Sequence, residues 1–596
     1  MLQAIKLRYA KREIYTYSGI VLIATNPFDR MDYLYDPGLV QAYAGKRRED
    51  QDPHLFAIAD TAYQAMVRDQ KNQTIVVSGE SGAGKTVSAK YIMRYFATVE
   101  DPSRPGRRRK AGVGAAMSKT EEQILATNPI MEAFGNAKTT RNDNSSRFGK
   151  YIEIMFDKDV DIIGAKIRTY LLERARLVFQ PATERNYHIF YQLIAGATDD
   201  ERRQLGLGSM ADYNFTNQGG DPLIPHVDDA AEFRLTRESL ATIGVSPETQ
   251  SHIWKVLAAL LHLGNAEIGS ARNNAILAPD EPNLARAAAL LGVRADDFAK
   301  WTTKKQLVMR TEKTVTALNQ KQAIVVRDSI AKFIYSALFD WLVEIINDSL
   351  AAEDVRANVK SFIGVLDIYG FEHFKRNSFE QFCINYANEK LQQEFNQHVF
   401  KLEQEEYARE QINWQYIEFS DNRPCIDLIE GKLGILSLLD EESRLPAGTD
   451  ENLMNKLHSQ FGTRGKEFPY QKPKFGTNEF CVCHYAVDVK YDIEGFVEKN
   501  RDTVPDEHLE LLREASNPFL TTVLQASATA REKVGSLMKG KERDGRLMVG
   551  WLVGWLVDWL VRKLVCPRRL FRLLAVVSLP SSPIASPLLE ASSRRP

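Results

Sequence analysis

Gly79-Glu80-Ser81-Gly82-Ala83-Gly84-Lys85-Thr86 has the spacing G-x-x-x-x-G-K-[ST], the pattern of a loop that cradles phosphate groups. Glycines let successive backbone N–H groups turn onto one concavity, and a helix starting near Lys85 adds its positive end. Lys85 would reach the β- and γ-phosphates and the Thr86 hydroxyl would hold Mg2+. Chance produces these four specified positions in a chain of this length only about a few times in a hundred. The bland alternative is a Gly-rich turn before a helix.

Binding alone is not hydrolysis, which also needs groups that sense the γ-phosphate and aim a water. Two segments carry suitable side chains. Asn142-Asp143-Asn144-Ser145-Ser146-Arg147-Phe148-Gly149 packs amides, hydroxyls and one guanidinium just ahead of an apolar run, Tyr151 to Phe156. Val365-Leu366-Asp367-Ile368-Tyr369-Gly370-Phe371-Glu372 reads as an apolar strand ending in Asp, then Gly, then Glu. Its Asp suits a metal, and a Gly N–H can approach phosphate with no side chain in the way. Each segment also reads singly as an ordinary capped loop or strand end.

The elements that must position these groups follow from periodicity. Gln73 to Val77 is a β-branched run suited to a buried strand, and Val87 to Ala97 carries Ile92, Met93 and Phe96 at helical spacing. Strand, loop, helix is the context the phosphate motif requires. Phe379 to Glu410 is the longest uninterrupted helical stretch, free of Pro and Gly. Residues 99–118 break the pattern with Pro102, Pro105, Gly106 and the basic run Arg107 to Lys110, and read as a solvated flexible loop.

The 596 residues are 44% hydrophobic and 26% charged, an ordinary globular composition. A formal net charge of -1 gives no global attraction to nucleic acid or anionic membrane, so no nucleic-acid partner is expected. Five cysteines in this length fit a reducing compartment better than a disulfide scaffold. Cys481, Cys483 and His484 form a tight cluster without a second pair at finger-like spacing, so a structural role is favoured over a metal site. Leu547 to Val561 is nearly all apolar but short of the roughly 18 to 20 residues of a spanning helix, and membrane contact there is not expected.

Taken together, the three polar segments resemble the phosphate loop, switch I and switch II of the myosin motor. The similarity extends to Asn128 to Thr139, Leu171 to Arg174, Glu184 to Tyr191, Ser378 to Tyr407 (similar to the relay helix) and Asp421 to Pro424 (similar to the strut). It covers about residues 1 to 530, and within the family it looks most like the class V transport myosins of fungi. The implied fold is α/β, a P-loop NTPase-type central, mostly parallel sheet surrounded by many helices. The implied activity is an actin-activated Mg-ATPase in the cytoplasm, bound to actin filaments and coupled to vesicle or organelle transport.

Carried over by position, the resemblance implies that Asn26, Pro27, Phe28, Arg30 and Tyr35 frame the adenine. Residues 79–86 and Asn142 would bind phosphates. Thr86 and Ser146 would ligate Mg2+, with Asp367 holding its waters. Arg147 and Glu372 would form a gating ion pair, with Ser145 and the Gly370 amide beside the attacking water. Glu312, in the loop Thr302 to Asn319, and Lys499, Asn500, Arg501, Leu511, Leu512, Pro518 and Phe519 would face actin.

The match sets its own limits. Residues 1–540 are expected to be a partial motor domain and 541–596 an unrelated Trp-, Leu-, Arg-, Ser- and Pro-rich tail without native structure. A truncated or mis-spliced coding sequence is the expected source. Calmodulin or light chains would bind only a longer form, and the alternative function is a nucleotide- and actin-binding fragment without motor output. A GTPase is disfavoured because Asn455-Lys456-Leu457-His458 lacks the Asp of N-K-x-D. A kinase is disfavoured because no H-R-D with D-F-G set occurs.

Overall fold

The computed structural model describes residues 2–80, 82–98, 119–309, 312–351, 353–415, 421–445, 448–465, 467–473, 478–501, 504–537 and 573–579. The loop at 99–118, the apolar run at 547–561 and most of the tail therefore lie outside the described residues.

Seven segments of extended, largely apolar chain assemble into one sheet. They are β1 (Tyr15–Ser18), β2 (Val21–Thr25), β3 (Gln73–Gly79), β4 (Gly149–Phe156), β5 (Ile162–Tyr170), β6 (Ser361–Asp367) and β7 (Leu573–Leu579), in the spatial order β1-β2-β7-β3-β6-β4-β5. The middle of the sheet is parallel: β2 with β7, β7 with β3, and β3 with β6. The flanks are antiparallel: β1 with β2, β6 with β4, and β4 with β5. The parallel character expected from the sequence thus belongs to the phosphate-loop half. The flanks differ because β1 and β2 are joined by a two-residue turn at Gly19 (φ +56°) and β4 and β5 by a short loop, connections too brief for a parallel crossover. Every residue of β4 is buried, as expected for a strand covered on both faces.

β7 comes from the segment that the sequence reading set apart from the fold. Residues 573–579, Leu-Leu-Ala-Val-Val-Ser-Leu, are apolar but for Ser578 and carry adjacent valines, the composition of an interior parallel strand. Arginine-rich neighbours hid that signal.

Helices close over the sheet. α1 (Lys85–Thr98) follows the phosphate loop, and α2 (Gln320–Leu350) starts from a reciprocal cap between Asn319 and Gln322. α3 (Phe379–Asn396) starts from the same device, Ser378 with Gln381. It continues through one π-helical stretch, Gln397–Lys401, into Leu402–Arg409, so the long helix expected at 378–410 exists with a local change of winding. α4 (Pro518–Leu537) packs on α2, where Trp341 and Phe519 meet edge to face with centroids 4.9 Å apart. Among the described residues, no helix is long and apolar enough to cross a membrane.

Candidate nucleotide site

The site lies at the carboxyl ends of the parallel strands, where open α/β sheets place their ligands. β3 and β6 are in register there, with Asp367 opposite Val77, so both strands deliver their polar ends to one level. The phosphate loop leaves β3 through Gly79 (φ +149°), Gly82 (φ +81°) and Gly84 (φ +90°), conformations that side chains rarely adopt. Ser81 lies outside the described residues. Ala83 is buried, and its N–H donates to Glu80 O at 3.2 Å, closing the turn.

Lys85 is buried, and its ammonium donates to Gly79 O at 3.0 Å and Glu80 O at 2.7 Å. Burial lowers its pKa to about 8, against an opposing pull from Asp367 and Glu372. Next to it, Thr86 Oγ1 donates to Asp367 Oδ2 at 2.9 Å, and Lys150 Nζ stands 3.6 Å from the same carboxylate oxygen. Hydroxyl and carboxylate oxygens meeting at a helix start are a donor set suited to Mg2+, which takes hard oxygen ligands and retains waters. The residues present therefore fit the ion. Sequence reasoning did not single out Lys150.

Switch I arrives on a two-stranded ribbon, Asn136–Thr139 with Asn142–Ser146. It lies against the phosphate loop: a Cβ built at Gly82 would stand 3.5 Å from Arg141 O and 3.9 Å from Asn142 Cβ. Asn142 is folded onto its own loop, accepting from Asn144 N at 3.1 Å. Ser146 pairs across the ribbon with Asn136, which brings its hydroxyl to the last position before Arg147.

The gate is closed. Arg147 Nη1 donates to Glu372 Oε1 at 2.9 Å, both side chains being 2% exposed. The same nitrogen donates to Ser145 Oγ at 3.1 Å, and Arg147 Nε donates to Glu173 Oε2 at 2.7 Å. Burial alone would raise the Glu173 pKa, but Arg147 and Arg176 hold it down to about 2. Arg176 in turn donates to Glu184 at 2.8 Å, so the gate arginine is one member of a buried ladder of alternating charge. Glu173 and Arg176 were given no site role, although Glu173 lies in the family-like segment Leu171 to Arg174; alternating charge beside apolar residues in Leu-Leu-Glu-Arg-Ala-Arg-Leu was a further signal.

Switch II is held from both sides. A Cβ at Gly370 would lie 2.1 Å from Gly79 O and 2.5 Å from Glu80 C, so no other residue type fits between switch and phosphate loop without displacement. From below, Asn385 on α3 accepts from Glu372 N at 2.8 Å and donates to Glu372 O at 2.7 Å. Gln381 donates to Glu372 Oε2 at 3.2 Å. The gate carboxylate is therefore bound, main chain and side chain, to the first turns of the long helix.

On the adenine side, Asn26 just after β2 donates to Gly82 O at 2.7 Å and accepts from Phe28 N at 2.9 Å, fixing Phe28 at φ +49°. Pro27 is half-buried and Arg30 exposed beside it. Tyr35 stacks on Tyr91 with centroids 3.4 Å apart and pairs with Tyr15 through hydroxyls 2.7 Å apart. Burial pushes its pKa up to about 12.

The residues expected to face actin separate into two groups. Asn500 is buried and donates to Ser443 Oγ at 3.1 Å, and Leu512 is fully buried. Both side chains are buried, so neither is presented at the surface as a direct actin contact would require. Amphipathic periodicity identified the helices but not which face of each packs. Lys499 donates to Glu380 at 2.8 Å and Arg501 to Ser443 O at 2.8 Å, so both anchor local structure. Leu511 and Phe519 are half-buried and Pro518 exposed. Glu312 begins the second strand of the ribbon Lys304–Met309 with Glu312–Ala317. His484 lies in a buried network, with Nδ1 2.8 Å from Glu389 Oε2 and Nε2 2.8 Å from Tyr491 Oη. Cys425 is the nearby thiol, at 3.7 Å, rather than Cys481 or Cys483.

A glycine-rich phosphate loop, a hydroxyl–carboxylate pair for a cation and a buried arginine–carboxylate gate define a P-loop nucleotide site with two switches. The chain belongs to the myosin head family, the motor domain, whose family model matches residues 1–549. It is 64% identical over 525 residues to Myosin-2 of Lachancea kluyveri, an alignment covering 88% of this chain and 34% of that protein. It is 63% identical over 539 residues to Myosin-2 of Saccharomyces cerevisiae, covering 90% and 34%. With Myosin-52 of Schizosaccharomyces pombe it shares 55% over 525 residues, covering 87% and 34%. The chain thus spans about a third of the length of these relatives.

Proposed function

We propose that this chain binds Mg-ATP, hydrolyses it under stimulation by actin filaments, and serves as the catalytic part of a fungal class V transport motor on cytoplasmic actin. The observation that carries the reading is the buried Arg147–Glu372 pair at 2.9 Å, flanked by Ser145 and by Gly370 against the phosphate loop. In this reading the loop amides and Lys85 hold the phosphates, and Asn26, Pro27, Phe28, Arg30 and Tyr35 frame the base. The Arg147–Glu372 pair shuts the site from bulk water while Ser145 and the Gly370 N–H position the attacking one. Thr86, Ser146 and Asp367 would hold Mg2+, which when bound neutralises phosphate charge.

Cargo transport and calmodulin or light-chain binding are proposed only for a longer form. Actin contact would use Glu312, Leu511, Pro518 and Phe519. The test is steady-state ATPase of the full chain with and without filamentous actin, alongside co-sedimentation. Actin-stimulated phosphate release and ATP-sensitive pelleting are expected. ATP-insensitive pelleting without stimulation favours the alternative, a binding fragment without motor output.

A further inference from the structure

We propose that Glu389, Cys425 and His484 form a binding site for a single divalent cation of the zinc class, on the α3 side of switch II and apart from the nucleotide pocket. The assignment stands on these residues and their neighbours, and the nucleotide reading does not enter it.

Three separate elements deliver the ligands. Glu389 comes from α3, Cys425 from the helix Arg423–Glu430, and His484 from the position just after the strand Glu479–Cys483. All three residues are buried, and their ligand atoms lie within 4.8 Å of one another. Thiolate, imidazole and carboxylate together are a zinc-type donor set, with a fourth position for water. The hydroxyl and carboxylate at Thr86 and Asp367 are harder ligands and suit Mg2+ instead. Cys425 Sγ is 3.7 Å from His484 Nδ1. Two ligands of a tetrahedral ion, with metal–sulfur and metal–nitrogen bonds of about 2.3 and 2.0 Å, stand roughly 3.5 Å apart. Glu389 Oε2 is 2.8 Å from the same nitrogen, and needs to withdraw by about 0.5 Å to admit the ion.

The surroundings orient the ligands as metal sites require. His484 turns its other nitrogen, Nε2, to Tyr491 Oη at 2.8 Å, which fixes the ring and aims Nδ1 at the cluster. Asn422 donates to Glu389 Oε1 at 2.8 Å and Tyr485 N donates to Oε2 at 3.3 Å, so the carboxylate is oriented too. A dication with one thiolate and one carboxylate sums to zero charge, the condition for burying all three. On binding, the ion takes the place of the Cys425 thiol proton, which leaves to solvent, and neutral His484 carries its ring proton on Nε2. Residues 485–488 are exposed, so solvent comes within one residue of a ligand. Tyr491 Oη also accepts from Asn385 Nδ2 at 2.9 Å, the amide that donates to Glu372 O. A bound ion thereby braces the support of the gate carboxylate. In the sequence Cys481 and Cys483 stand beside His484; the fold instead brings Cys425 and Glu389 to the imidazole, from 59 and 95 residues away in the chain.

Cobalt(II) is the probe, because a thiolate–cobalt bond gives a near-ultraviolet charge-transfer band and a tetrahedral ion gives visible bands. Titrated into the full chain after chelator treatment, Co2+ should produce both with a stoichiometry of one, and Zn2+ should displace it and abolish them. Cys425→Ser should lose the near-ultraviolet band, whereas Cys481→Ser and Cys483→Ser should keep the whole spectrum. Absence of the band from the unmodified chain, or its survival in Cys425→Ser, overturns the proposal. Where Cys425→Ser fails to fold, X-ray absorption at the zinc edge reads the unmodified, Zn2+-loaded chain. One sulfur at about 2.3 Å with nitrogen and oxygen at about 2.0–2.2 Å is expected. A shell without sulfur, or with two or more sulfurs, contradicts the assignment.

Discussion

Arg147 and Glu372, 225 residues apart in the chain, meet at 2.9 Å with both side chains withdrawn from solvent. The pair is asymmetric. Arg147 also holds Glu173 at 2.7 Å and Ser145 at 3.1 Å, whereas Glu372 has Arg147 as its ion-pair partner and Gln381 and Asn385 as neutral hydrogen-bond partners.

That asymmetry predicts unequal stability losses. Arg147→Ala leaves Glu372 as a buried carboxylate without its hydrogen-bonded cation, a change that costs about 3–5 kcal/mol. Glu372→Ala leaves Arg147 paired with Glu173, and should cost about 1–3 kcal/mol. Denaturant unfolding of the two variants measures the difference; equal losses would contradict the ladder described for Arg147.

Gly370 predicts a steric effect. Gly370→Ala places a methyl 2.1 Å from Gly79 O, so switch II must withdraw from the phosphate loop. Hydrolysis should fall by about 100-fold or more, as when a stabilising donor is removed from a reacting centre, while the thermal midpoint shifts modestly. A variant that cleaves ATP at the normal rate would show that the contact is not needed.

Lys85 predicts a pH dependence. Burial lowers its pKa to about 8, so the free protein loses this positive charge as pH rises through that value. Phosphate binding favours the charged form and raises the pKa. Affinity for mant-ATP should therefore be constant below about pH 8 and fall above it, by up to about tenfold per unit. Calorimetry above pH 8 in buffers of different ionisation heat should detect proton uptake on binding. Lys85→Met should remove both the uptake and the pH slope.

The actin-facing candidates predict a division between structure and contact. Leu512→Ala should cost about 2–5 kcal/mol because the side chain is fully buried. Asn500→Ala should cost about 1–3 kcal/mol through the group it leaves unpaired. The exposed Pro518 and the half-buried Phe519 belong to the surface, and Pro518→Ala should reduce actin co-sedimentation with little change in the unfolding midpoint.

Local chemistry was the most legible part of the sequence. The phosphate loop is contiguous, and its glycines take the positive φ angles and Lys85 the helix start that the motif implies. Asp367 was readable as a carboxylate at a strand end, and its contact with Thr86 at 2.9 Å fits that position. Partnerships between distant segments were not readable from pattern. Arg147 with Glu372 came only from family resemblance, and Glu173, within a segment similar to the family, received no role because one glutamate looks like any other until two arginines converge on it. Asn500 was given an actin-facing role by family resemblance, and its burial against Ser443 is a contact no sequence pattern reveals. β7 was hidden by composition: a short, mostly apolar segment between arginine- and proline-rich stretches resembles noise until two strands are found separated by one strand's width.

The central claim is a gated ATP site, and single-turnover cleavage by the full chain and its Glu372→Ala variant tests it most directly. Both proteins should bind mant-ATP with affinities within about threefold of each other, since Glu372 acts on the water rather than the phosphates. The unmodified chain should cleave bound ATP, and the variant should do so at least about 100-fold more slowly. Equal cleavage rates in the two proteins would contradict the account.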